Sequence, residues 1–164
     1  MGFLHSLPSL TGRVMPRLSV ESPLGPLTLV AENDALIAVE WRGNKAADDA
    51  TDLLREAARQ LAAYFAGTLK RFDLPLAPAG ATFEHRVWEL MAAIPYGETR
   101  RYGELAQQLD AEAQAIGEAC GRNPLPIFIP CHRVVAHNGL GGYSGGKGIE
   151  TKSRLLVLEG ALLL

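Results

Sequence analysis

Strand-like apolar runs in this chain stop at one small, Pro/Gly-rich segment, Ala77-Pro78-Ala79-Gly80, and the patterning beyond it is almost wholly helical. That change of period constrains the fold most. Before it, Leu18-Ser19-Val20, Leu27-Thr28-Leu29-Val30 and Leu36-Ile37-Ala38-Val39 read as three short antiparallel strands. Turn residues separate them, Ser22-Pro23-Leu24-Gly25-Pro26 and Asn33-Asp34. A helix over Asp52 to Phe65 follows, with Leu53, Leu54, Ala57, Leu61 and Phe65 near helical spacing and Gly67 as its stop. Phe72-Asp73-Leu74-Pro75-Leu76 reads as a further edge strand. After the segment, Thr82 is positioned to cap a helix whose face is Phe83, Val87, Leu90, Met91 and Ile94. Pro95-Tyr96-Gly97 ends it. Two short helices, Tyr102–Leu109 and Glu112–Cys120, meet at Asp110. They suit a helix-turn-helix or any small helical hairpin, and the residues alone favour the hairpin. A glycine-dense loop over Gly139 to Gly148 leads to a last helix, Thr151 to Gly160, with Leu155, Leu156 and Leu158.

The expected class is therefore α+β. The expected organisation is a flexible extension over 1–16, an amino-terminal α/β domain over 17–77, a linker over 78–81 and a second domain over 82–164. Met15 stands just before the first strand and is a candidate alternative start.

The chain has 164 residues and a hydrophobic fraction of 48%, enough for a core. No apolar run approaches the roughly 20 residues needed to span a bilayer, and the first fourteen residues do not pattern as a secretory signal. Two cysteines are too few for a disulfide framework, so a reducing, cytoplasmic setting is expected. His5, His85, His132 and His137 show no ligand spacing with Cys120 or Cys131, so no metal is expected. The net charge of −2 carries no basic footprint.

Chemistry concentrates in Pro130-Cys131-His132-Arg133-Val134. Cys120 reads as a small buried hydrophobe. Cys131 reads as a reactive nucleophile, because cationic neighbours lower a thiol's pKa and a nearby histidine can take its proton. A third group normally orients such a histidine. Glu159 is the odd polar residue in an apolar helix, and spacing leaves it equally an orienter or a solvated glutamate.

The wider text around Cys131 resembles the O6-alkylguanine-DNA alkyltransferases. The matching residues are Ile129-Pro130-Cys131-His132-Arg133-Val134-Val135, Gly142-Tyr143-Ser144-Gly145-Gly146, Leu155-Leu156 and Glu159-Gly160. Upstream, Ile94-Pro95-Tyr96-Gly97-Glu98-Thr99 with Tyr102, and Gly121-Arg122-Asn123-Pro124, are also similar. The Ser22-Pro23-Leu24-Gly25 hairpin resembles the family's amino-terminal domain. The resemblance implies a ribonuclease H-like first domain and a winged helix-turn-helix-like second domain. It implies repair of double-stranded DNA by single-turnover transfer of a methyl or larger alkyl group from O6-alkylguanine to Cys131, with O4-alkylthymine left open. His132 would act as base through water, Glu159 would orient His132, and Tyr102 would hydrogen bond the base. Asn123 would tie the helix pair to the active-site segment. Val134, Tyr143, Ser144 and Gly145 would hold the base. Gln114, Ala115, Gly117, Arg122 and Arg133 would engage DNA. No cofactor is implied, no membrane partner, and a monomer is expected.

One position departs from the pattern. The family's Arg-Ala-Val-Gly run is here Gln114-Ala115-Ile116-Gly117, so Gln114 stands where an arginine fills the gap left by a flipped base. Glutamine supplies no charge toward phosphate, and Glu112 and Glu118 share its helix. This leaves a second reading, a damaged-base binding protein that transfers weakly or not at all. A thiol hydrolase built on Cys131 and His132 is a remote third, since no hydrolase motif is present.

Overall fold

The computed structural model of the protein describes residues 15–43 and 49–163. The expected extension over 1–16 lies almost wholly outside these residues. Contacts divide the chain into two compact units, one ending at Ala79 and the other starting at Gly80.

The first unit opens with β1 (Arg17–Val20), β2 (Leu27–Glu32) and β3 (Ala35–Glu40), an antiparallel sheet in that order. Arg17 faces Val30 and Val20 faces Leu27, and a register shift falls between Val30 and Ala31. Asn33 and Asp34 both take positive φ, 51° and 58°, the pair of left-handed residues that suits a two-residue hairpin between right-twisted strands. Helix α1 (Asp52–Phe65) is capped by Thr51, whose Oγ1 accepts from Leu54 N at 3.2 Å. It buries Leu54, Ala57, Leu61 and Tyr64. The stripe therefore runs through Tyr64 rather than Phe65, because the 3.6-residue period continues from Leu61 to that side.

The expected edge strand over 72–76 does not form. Only Leu36 and Leu76 bridge, with Leu36 N donating to Pro75 O and Ala77 N to Leu36 O. Pro75 has no N–H to continue a ladder. Gln60 holds the segment instead: its Nε2 donates to Asp73 O at 3.1 Å and its Oε1 accepts from Asp73 N at 2.9 Å.

The second unit contains α2 (Thr82–Ala92), α3 (Tyr102–Leu109), α4 (Ala113–Gly121) and α5 (Ile149–Leu158). A short parallel pair, β4 (Arg100–Arg101) and β5 (Val134–Val135), lies between them in the chain. Thr82 is the first helical residue of α2, not its cap. Glu84 Oε1 accepts from Ala81 N at 2.8 Å and does the capping. Helices α2, α3 and α4 pack on one another in all three pairings, the arrangement of a helix-turn-helix. Asp110 makes the turn in left-handed conformation, φ 51°. α5 begins two residues earlier than expected and ends at Leu158, leaving Glu159 as its carboxy-terminal cap. No helix among the described residues is long and apolar enough to cross a membrane.

Trp88, which sequence patterning does not mark, is the largest fully buried side chain among the described residues. Its indole Nε1 donates to Ala119 O at 2.9 Å and so joins α2 to α4. Gly80 is needed beneath it, since a Cβ there would lie 2.5 Å from the indole ring. Trp88→Ala is expected to cost about 3–5 kcal/mol of stability, read as a lower denaturation midpoint without change of slope.

Candidate active site

The chain reaches Cys131 through a buried run, Ile127, Phe128 and Ile129. Ile127 adopts φ +75°, strained for a β-branched residue, and its burial within this run holds it there. Cys131–Arg133 then form one turn of 3₁₀ helix. Asn123, just past α4, clamps this approach: its Nδ2 donates to Ile129 O at 2.9 Å and its Oδ1 accepts from Leu125 N at 2.9 Å. Asn123 thus ties the helix pair to the cysteine segment.

Behind the turn lies a buried polar group. His132 is fully buried, and its Nε2 lies 2.8 Å from Glu159 Oε2. Arg133 Nε donates to Glu159 Oε1 at 2.8 Å and its Nη2 to Oε2 at 2.9 Å. Its Nη1 donates to Ile94 O at 2.7 Å, and its guanidinium stands over the Tyr96 ring at 5.8 Å. Burial lowers the His132 pKa, so the imidazole is neutral at neutral pH. Nε2 then carries the proton donated to Glu159, and Nδ1 is the free lone pair. Nδ1 is buried and meets no hydrogen-bonding group among the described residues. The charge facing the Glu159 carboxylate is therefore Arg133, not His132.

Arg133, expected to contact DNA and to acidify Cys131, does neither from this position. It is buried at 7% exposure with its donors directed to Glu159 and Ile94. Burial pushes the Cys131 thiol up, while the Asn123 side chain, the charge of Lys152 and the Tyr143 hydroxyl pull it back. The expectation of acidification by His132 and Arg133 is thus overturned: one is neutral and the other is paired elsewhere.

The cation that acts on the thiol is Lys152, which the sequence reading missed. It is fully buried on α5, with Nζ donating to Val134 O at 2.7 Å, Gly142 O at 3.1 Å and Tyr102 OH at 3.5 Å. Burial lowers its own pKa, and the charges of Cys131 and Cys120 oppose that. A signal was present: Lys152 stands three, four and seven residues before Leu155, Leu156 and Glu159, on the same helical face.

A cavity of about 590 Å³ opens onto Cys131. Helix α4 supplies Ala113, Gln114, Gly117, Cys120 and Gly121 to its wall. The glycine-rich loop supplies Gly142, Tyr143 and Ser144, and Tyr102 completes it. Gly141 lets the loop pass Tyr102, since φ is +75° and a Cβ would lie 2.9 Å from the ring. Burial, and then the charges of the two thiols, push the Tyr102 hydroxyl up to about 12, so it remains a donor. Of the expected base-holding residues, Tyr143 and Ser144 line the cavity. Val134 does not: it is buried and its carbonyl is engaged by Lys152. Gly145 is also outside the lining, its carbonyl accepting from Gly148 N. Of the expected DNA-contacting residues, Gln114 and Gly117 face the cavity. Ala115 does not, and Arg122 is 3.6 Å from Glu84. Among the described residues no group of three His, Cys, Asp or Glu could hold a metal ion.

Replacing Lys152 with Met removes the cation acting on Cys131 and leaves two carbonyls without their donor. The pH profile for modification of Cys131 by iodoacetamide is expected to move to higher pH, because the thiolate loses its favourable charge. Stability is expected to fall by about 1–3 kcal/mol.

Comparison with known proteins follows the same division of the chain. Residues 17–78 match the family model described as 6-O-methylguanine DNA methyltransferase, ribonuclease-like domain, and residues 82–161 match its DNA binding domain. A methylated-DNA–protein-cysteine methyltransferase of Methanosarcina acetivorans is 44% identical across 86% of this chain and 96% of its own length. The Mycobacterium tuberculosis protein of the same name is 43% identical across 86% and 90%. A solved structure of the M. tuberculosis O6-methylguanine methyltransferase is 40% identical with a TM-score of 0.78, covering 92% of this chain and 96% of that one. A second, of the M. tuberculosis protein in complex with DNA, is 43% identical with a TM-score of 0.77, covering 87% and 91%. With both domain models matched in order and relatives similar over nearly their whole length, the chain belongs to the 6-O-methylguanine DNA methyltransferase family.

Proposed function

We propose that this protein repairs double-stranded DNA by moving an alkyl group, methyl above all, from the O6 atom of guanine directly to Cys131. The observation that carries this reading is a cysteine at the wall of a cavity large enough to admit a base, with a neutral, carboxylate-held histidine next to it in the chain. The alkylated base leaves the duplex and enters the cavity, since its reacting carbon is inaccessible in the stack. His132 Nδ1 takes the Cys131 proton through a bridging water, and Glu159 keeps the ring in the required tautomer. The thiolate attacks the alkyl carbon, a carbon–sulfur bond forms, and the carbon–oxygen bond breaks with its electrons passing to guanine. Tyr102, protonated and in the cavity, donates toward the base as that charge develops. Tyr143 and Ser144 hold the base edge. The product is a thioether with no easy route back, so each molecule acts once, without a cofactor. The protein works as a monomer in the cytoplasm.

Incubation with a duplex oligonucleotide carrying O6-methylguanine tests this by intact mass. The expected result is a gain of one methyl per protein, absent in Cys131→Ala. No gain in the unaltered protein, with retained binding, would favour the damaged-base binding module. Repeated release of methyl without modification would favour a hydrolase.

Gln114 bears on duplex engagement. It is exposed on α4, and its Nε2 reaches Glu118 Oε1 at 3.5 Å. The second unit carries eight Lys and Arg against nine Asp and Glu, so its attraction to phosphate is weak. Gln114→Arg is expected to tighten duplex binding and to steepen its log–log dependence on salt by about one. Fluorescence anisotropy across a salt series reads both. Unchanged affinity and repair rate would remove Gln114 as the limiting feature.

A further inference from the structure

The mechanism uses one thiol of the cavity and leaves the other, Cys120, without a task. Cys120 was expected to be a small buried hydrophobe, and it is only 9% exposed. It nevertheless lines the same cavity as Cys131, and these are the two cysteines of the chain. Both are free thiols.

The intervening chain is tied down next to each of them. Ten residues, Gly121–Pro130, separate them, the first of which ends α4. The first turn bonds Asn123 N to Cys120 O at 3.2 Å. Asn123 Nδ2 then donates to Ile129 O, and Cys131 N donates back to Ile129 O at 2.8 Å. Pro126 and Ile129 are bridged. One clamp residue thus holds the backbone beside both cysteines. The electrostatics agree: burial first, and then the charge of Cys131, push the Cys120 thiol up to about 12, and Tyr102 and Lys152 each feel both sulfurs.

We propose that Cys120 is a resolving thiol for Cys131, so that a peroxide entering the cavity converts the pair to an intramolecular disulfide instead of destroying the alkyl acceptor. In the first step the Cys131 thiolate attacks a peroxide oxygen. The oxygen–oxygen bond breaks, giving a sulfenic acid at Cys131 and hydroxide, which takes up the thiol's proton as water. In the second step the Cys120 sulfur attacks the Cys131 sulfur and expels hydroxide, which takes the Cys120 proton. Two thiols are oxidised by two electrons in all, and hydrogen peroxide is reduced to two waters. The disulfide removes the nucleophile from the cavity and returns it on reduction. Without Cys120 the sulfenic acid has no thiol in the cavity and proceeds to the sulfinic acid, which thiol reductants do not reverse. Burial of both thiols makes the reaction slow, and the cavity gives access to a molecule as small as hydrogen peroxide.

The test uses the full chain, hydrogen peroxide as oxidant and dithiothreitol as reductant. Intact mass and non-reducing peptide maps are read after oxidation. Methyl acceptance from the O6-methylguanine duplex is read before oxidation, after it and after reduction. The expected result is loss of two hydrogens, a peptide linking Cys120 to Cys131, and acceptance lost and then regained at least several-fold. In Cys120→Ser and Cys120→Ala, oxygen should add at Cys131 and reduction should restore little. Oxygen addition at Cys131 of the unaltered protein with no linked peptide overturns the proposal. So does a disulfide between two molecules, or equal recovery in the Cys120 variants. If acceptance is absent before oxidation, the alkyl-transfer reading fails, while mass and peptide maps still decide the thiol pair.

Discussion

The Glu159 carboxylate receives three hydrogen bonds in a place closed to solvent, one from His132 and two from Arg133. A buried carboxylate is costly unless paired and fully bonded, and this one meets both conditions from a single turn of chain. The consequence is geometric. The end of α5 is locked to the 3₁₀ turn that begins at Cys131, and Arg133 extends the lock to the Ile94 carbonyl past the end of α2. Tyr96 stands beneath the guanidinium and donates to Leu158 O at 3.2 Å, bracing the same junction. Burial keeps His132 neutral, the Arg133 charge adds to that, and the bond to Glu159 fixes its tautomer.

Lys152 performs the complementary task for the Cys131 thiol. Its ammonium satisfies carbonyls from β5 and from the glycine-rich loop, so the loop wall of the cavity is fastened to β5 by one buried charge. The same charge is the main ionic influence favouring a thiolate at Cys131 against a strong cost of burial. Two buried cations thus divide the work. Arg133 fixes the carboxylate and histidine, and Lys152 supports the thiol and Tyr102. Each is adjacent in space to a group of opposite or developing negative charge, which is what allows two cations inside so small a unit.

Much of the architecture was legible from local pattern. The three strands, α1 from Asp52 to Phe65 and the α3–α4 pair turning at Asp110 all follow from hydrophobic period and turn chemistry, which act over a few residues. Misreadings came where a distant partner decides. Leu76 pairs through a single bridge because Pro75 cannot donate and Gln60 replaces the ladder. Thr82 is the local exception, not a cap because Glu84 reaches back three residues to Ala81. Trp88 was passed over because its importance rests on the Ala119 carbonyl, thirty-one residues away.

By itself, the sequence determined the three amino-terminal strands, the five helices and the Pro130–Val134 segment as the place where cysteine, histidine and arginine meet, because residue type and spacing suffice for helix and strand period and for adjacency in the chain. The tertiary structure alone decided the electrostatics of that segment. A charge's effect depends on distance and burial, and neighbours in the chain need not be neighbours in the field. Arg133, adjacent in sequence, turns away to Glu159, whereas Lys152, twenty-one positions from Cys131, acts on the thiol. Cys120 likewise reads as core in sequence, and only the folding of the loop between the cysteines sets it on the wall that Cys131 shares.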